Sequence, residues 1–166
     1  MDDAINIPLR DQPWIKENML HLHKLYLVSL AQIFVCFASL VCGLSFFVCF
    51  GFLLQFTIIG MDVELGLTIG LLLVFSMLCV YLFYKFIRHL NFLGISCQKH
   101  QQLQWWNLWT LVANSLMGLG GVFIAVWLFL LVNDLQQDAK KHLAKNEPCF
   151  IKKELPPHSS FITPVA

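Results

Sequence analysis

Apolar residues in this chain come in long blocks, separated by short polar stretches. From Tyr26 to Tyr84 the only charged side chains are Asp62 and Glu64, and from Trp105 to Val132 there are none. A bilayer span needs about 20 predominantly apolar residues. The blocks predict spans over residues 25–53, 65–86 and 105–132. In hydrocarbon every backbone N–H and C=O must be satisfied within its own segment or in a closed barrel. The blocks lack the period-two alternation of a barrel strand, so they predict helices. The expected fold class is all-α, a multi-pass transmembrane helical bundle with three spans.

The first block, Leu25 to Gly60, is long for one straight span and short for two. The preferred reading is one tilted helix followed by a short loop from Gln55 to Glu64. A helical hairpin turning at Cys42-Gly43 is the alternative, although no charge or proline marks a turn there. The second span closes on Tyr81, Tyr84, Lys85 and Arg88, an aromatic and basic interface anchor. The third starts at the Trp105-Trp106 belt and ends at Asn133-Asp134. Residues 1–24 form a polar amino-terminal segment, of which 14–24 suit a short interfacial helix. Residues 135–166 form a polar tail, amphipathic to Glu147 and expected to be disordered beyond Pro148. The first apolar run far exceeds a signal-peptide core and reads as an uncleaved signal-anchor.

Composition agrees with this pattern. Of 166 residues, 58% are apolar and only 13% charged, about half the charged fraction usual in soluble domains. The net charge of +1 leaves no basic surface for nucleic acid. The positive residues form three clusters: Arg10, Lys16 and Lys24; Lys85, Arg88 and Lys99; and Lys140, Lys141, Lys145, Lys152 and Lys153. Positive residues favour the cytoplasmic side. That rule places the amino terminus and the second loop inside, and the Asp62–Glu64 loop outside. Three straight spans then put the lysine-rich tail outside, against the same rule. Two arrangements remove the conflict: a hairpin in the first block, or a third block that dips and returns at Met117-Gly118-Leu119-Gly120-Gly121.

Candidate chemistry is sparse. Gly66 and Gly70 form a GxxxG pair that lets another backbone approach closely. Its partner is either another span of this chain, the preferred reading, or a second subunit. Ser39 with Gly43, and Gly121 with Ala125, are similar small pairs. Asn114 is the most polar side chain in the third span and calls for an inter-helical hydrogen bond. No ionisable residue lies mid-span, which speaks against proton-coupled transport. His21 and His23 face apart on a helix, and His89 and His100 stand alone. No metal, cofactor or catalytic motif is expected, and a lipid-modifying enzyme would have only these histidines to use. Cys97, beside a basic membrane edge, is a candidate for S-acylation. Cys36, Cys42, Cys49 and Cys79 read as packing residues.

Two stretches resemble the four-span family that includes the B-lymphocyte antigen and the IgE-receptor β chain. One is Leu30-Ala31-Gln32-Ile33 with Gly43. The other is Ala113-Asn114-Ser115 followed by Gly118, Gly120 and Gly121. The chain departs from that family in lacking an aromatic-glycine start to span two and a fourth span. The resemblance implies a non-enzymatic accessory, scaffold or receptor-associated role. The expected function is a multi-pass membrane protein that works through helix–helix association as an accessory or adaptor subunit. Its expected partners are the lipid bilayer and either a second copy or another membrane protein. The alternative is a subunit of an oligomeric channel or carrier, with Thr110, Asn114 and Ser115 lining a polar path. Plasma membrane and endomembrane are not distinguished.

Overall fold

The computed structural model describes residues 12–55, 61–115 and 121–151. Four helices follow in order: α1 Pro13–Gln55, α2 Met61–Phe92, α3 Cys97–Ser115 and α4 Gly121–Ala144. No strand occurs among the described residues. Three segments are long and apolar enough to cross a membrane: Pro13–Gly51, Leu65–Phe92 and Gly121–Ala144.

Local sequence explains where each helix starts and stops. Pro13 occupies the first helical position, where its missing N–H costs nothing. The Gln12 carbonyl accepts the first amides, Ile15 at 3.1 Å and Lys16 at 3.2 Å. Ser96 sits in the capping position of α3, its carbonyl accepting the His100 N–H at 3.0 Å. After α4, Asn146 takes a left-handed φ of 57°. The Glu147 N–H then reaches the His142 carbonyl at 2.9 Å, and the Asn146 N–H reaches Leu143 at 3.2 Å. This is a Schellman stop, with Pro148 just beyond it.

α1 is one uninterrupted helix of 43 residues, about 65 Å long at 1.5 Å per residue. The alternative hairpin at Cys42-Gly43 is therefore not formed. The stretch 14–24 is the first part of α1 rather than a separate element. The Gln55–Glu64 loop is shorter than expected, because α2 already begins at Met61. Residues 56–60 lie outside the described residues.

The largest correction concerns the third block. The preferred single helix over 105–132 gives way to the alternative in which the block returns on itself, since α3 ends at Ser115 and α4 begins at Gly121. The chain reverses between them. A Cβ on Gly121 would lie 3.2 Å from both Cα and N of Asn114. In one continuous helix those residues would be about 10 Å apart. Trp106 faces Trp127, ring centroids 6.3 Å apart, so α3 and α4 run antiparallel. The turn segment Met117–Gly120 lies outside the described residues. An apolar run hides such a turn, because its hydropathy is the same straight or folded.

The reversal brings the start of α1 and of α3 to the same end as the close of α2 and α4. There Leu22, Leu25, Phe86, Leu90, Leu93, Leu103 and Ala139 form the main core with Phe150. Phe150 is only 5% exposed, so the tail is anchored two residues past Pro148 where disorder was expected. Residues 152–166 lie outside the described residues. Gly94 anchors the tail. Its carbonyl accepts the Ile151 N–H at 2.6 Å, while its own N–H donates to Asn18 Oδ1 at 2.9 Å. A side chain on Gly94 would collide with the Ile151 carbonyl.

Candidate functional site

The outer face of the bundle is strongly apolar, unlike that of a water-soluble domain, and its largely apolar core carries a seam of buried polar side chains. Phe34, Leu67, Met77 and Phe123 are among many large apolar side chains more than 60% exposed. Ser29, Gln32, Ser39, Asn107, Thr110 and Asn114 are buried. Spacing explains this seam. On α3, Leu103, Asn107, Thr110 and Asn114 recur every three or four residues and share one face. On α1, Ser29, Gln32, Cys36 and Ser39 do the same.

The two stripes meet. Gln32 Nε2 donates to Asn107 Oδ1 at 2.8 Å, and Asn107 Nδ2 points at the Phe83 carbonyl at 3.5 Å. Asn107 thus ties α3 to both α1 and α2. One helical level further, Asn114 Nδ2 donates to Cys79 Sγ on α2 at 2.9 Å. Thr110 and Ser115 donate to their own helix, at the carbonyls of Trp106 and Leu111. Two oxygens in the seam, Gln32 Oε1 and Asn114 Oδ1, are buried with no hydrogen-bond partner among the described residues. Such orphan acceptors are uncommon in folded proteins.

Asn107 was not singled out in the sequence, where it is lost among Trp105, Trp106 and Trp109. The signal that finds it is the i, i+3, i+7 recurrence of Asn107, Thr110 and Asn114. Thr110 and Asn114 are enclosed, 3% and 7% exposed, while Ser115 faces outward.

The small-residue pairs separate into inner and outer sets. Ser39, Gly43, Gly121 and Ala125 are buried. Gly121 lies against the Asn114 backbone, where a Cβ would fit only tightly, at 3.2 Å. Gly66 and Gly70 are exposed, and a Cβ on either would meet nothing within 4 Å. The described helices of this chain do not pack on that pair, contrary to the preferred reading of it.

At the basic end, His21 Nδ1 and His89 Nδ1 are 3.3 Å apart, with Phe92 stacked on His21 at 4.9 Å. One ring must be neutral to accept from the other. His23 stacks on Tyr26 instead, and His100 contacts Asn91 at 3.2 Å. Among the described residues no three His, Cys, Asp or Glu are grouped to hold a metal. Cys97 is exposed at the start of α3, whereas Cys149 is half-buried. Burial pushes the Cys149 thiol above its ordinary pKa.

No protein-family model, curated protein or solved structure matches the chain. The bundle, with its enclosed polar seam and open glycine face, is therefore read from its own geometry.

Proposed function

We propose that the protein is a multi-pass membrane protein acting through helix–helix association, as an accessory or adaptor subunit. The observation that carries this reading is the uncovered Gly66–Gly70 face. Helices associate in lipid through close backbone packing rather than hydrophobic expulsion, and small residues permit it. Here such a face is turned away from the chain's own helices. The resemblance to the four-span family of the B-lymphocyte antigen points to the same kind of role.

The proposed topology follows from the α3–α4 reversal. Lys16, Lys24, Lys85, Arg88, Lys99, Lys140, Lys141 and Lys145 all belong to the end built by the start of α1 and α3 and the close of α2 and α4. Asp62 and Glu64 belong to the opposite end, at the start of α2. One basic end satisfies the positive-inside rule for every Lys and Arg among the described residues. α1 and α2 cross the bilayer. The apolar arms Trp105–Ser115 and Gly121–Val132 are each about 16–18 Å long, against a core of about 30 Å. By length all of α4 qualifies as a span, yet its second half carries Asp134, Asp138, Lys140 and Lys141. We therefore infer a re-entrant hairpin that enters from the basic side and returns to it.

Crosslinking in mild detergent or nanodiscs tests the role. A discrete oligomer or partner adduct, lost on Gly66→Leu with Gly70→Leu, supports it. A strictly monomeric, partnerless protein contradicts it. The second reading, a channel or carrier subunit, draws on the polar seam. Within it Gln32 bonds Asn107, Asn114 bonds Cys79, and Ser29 and Thr110 bond their own helices, which favours a structural role for these buried residues. Ion flux through the purified protein in liposomes, abolished by Asn114→Leu, would reverse that preference.

A further inference from the structure

Beside the end of α3, α1 and α2 border a cavity of about 360 Å³. One wall is polar: Ser39 from α1, Ser76 from α2, and Asn114 with Ser115 from α3. The rest is apolar, with Phe46 and Leu72 prominent. Ser76 and Ser115 are exposed, so the cavity opens sideways, while Ser39 and Asn114 are each 7% exposed and form its inner end.

The wall has unspent hydrogen-bonding capacity. Asn114 commits its Nδ2 to Cys79; its Oδ1 has no partner among the described residues and is itself covered, so a guest reaches it only by a small shift of the amide. The Ser115 hydroxyl donates to Leu111 and keeps its own lone pairs. Ser39, though almost wholly buried, lines the cavity as well. A hydrocarbon tail filling this space would offer this polar wall no hydrogen bond and would leave Asn114 Oδ1 orphaned, at a cost. A charged headgroup is disfavoured for the opposite reason: among the described residues no Lys, Arg, His, Asp or Glu lines the cavity, and an unpaired charge in hydrocarbon is expensive. A single water occupies about 30 Å³, so one water would leave most of the volume empty. What fits is an apolar body with one uncharged hydroxyl.

We propose that this cavity is a lateral binding site for a neutral lipid bearing a free hydroxyl, of the sterol or diacylglycerol type. The lipid enters from the bilayer between α1 and α2 and hydrogen-bonds the Ser39–Ser76–Asn114–Ser115 wall. The proposal rests on the membrane-embedded reading above but not on oligomer formation.

The test uses the full chain in nanodiscs with three diazirine photoprobes: a sterol, a diacylglycerol and a phosphatidylcholine. The expected result is labelling of peptides around Ser39–Phe46 and Ile69–Ser76 by at least one hydroxyl probe. Excess unlabelled hydroxyl lipid should compete, and its O-methyl ether should compete at least about fivefold less well, as for one lost hydrogen bond. The arm that labels, sterol or diacylglycerol, identifies the source. Ser115→Ala and Ser76→Phe alter exposed positions and should weaken labelling, the second by filling the mouth. Labelling spread evenly over the outer faces, equal competition by the ether, or preference for phosphatidylcholine would overturn the proposal. A chain that fails to enter nanodiscs would instead defeat the membrane reading, so the two failures are distinguishable.

Discussion

Gln32 Nε2 donates to Asn107 Oδ1 across 2.8 Å, joining α1 to α3 between two buried side chains 75 positions apart in sequence. This bond helps set how the α3–α4 hairpin docks on α1. Leaving one amide in lipid-like surroundings without its partner is costly, although double-mutant cycles in membrane bundles find modest coupling. Gln32→Leu or Asn107→Leu alone should lower thermal stability in detergent by about 1–2 kcal/mol. The double variant should lose less than the sum of the singles. Additive losses in a melting series would mean the pair is not coupled.

Gly121 and Gly66 give opposite expectations for the same change. Gly121→Leu forces a side chain against the Asn114 backbone and should destabilise the hairpin by about 1–3 kcal/mol. At Gly66 a Cβ meets open space, so Gly66→Leu should leave the monomer's melting temperature nearly unchanged. Equal effects at the two positions in a detergent melting assay would refute this assignment of inner and outer glycines.

Cys149 and Cys97 should differ in reactivity. The Cys149 thiol is pushed up by burial, so little thiolate exists at neutral pH, and the thiolate is the nucleophile. Maleimide should modify exposed Cys97 faster, and Cys149 should accelerate as pH rises toward its displaced pKa. Gly94→Ala, by expelling the Ile151 carbonyl, should release the tail and raise the Cys149 rate. An unchanged rate in that variant would show that the Gly94 contact does not hold the tail.

Much of the architecture was legible in the sequence, and the misses share a cause. Long uncharged runs fix helix and membrane class because the backbone has no other way to satisfy itself in hydrocarbon. Hydropathy does not tell a straight span from a folded one, so the reversal between Ser115 and Gly121 was visible only indirectly, through the conflict over the lysine-rich tail. The glycines at 118, 120 and 121 supplied a place for it. Phe150 was obscured by Pro148, whose composition signal suggested disorder. The orientation of Gly66–Gly70 depends on which face α1 covers, and periodicity within α2 alone does not decide that. Asn114 drew attention as a lone amide, but its cavity wall needed Ser39 and Ser76 from two other helices.

The central claim is that α3 and α4 reverse, so that the tail and the α2–α3 loop share one side of the membrane. Single-cysteine variants retaining only Cys97 or only Cys149 test this with a membrane-impermeant maleimide on sealed cells and on permeabilised ones. Both thiols should stay unmodified in sealed cells and react after permeabilisation, Cys97 faster. Modification of Cys149 but not Cys97 in sealed cells would place the tail across the bilayer from the loop and contradict the account.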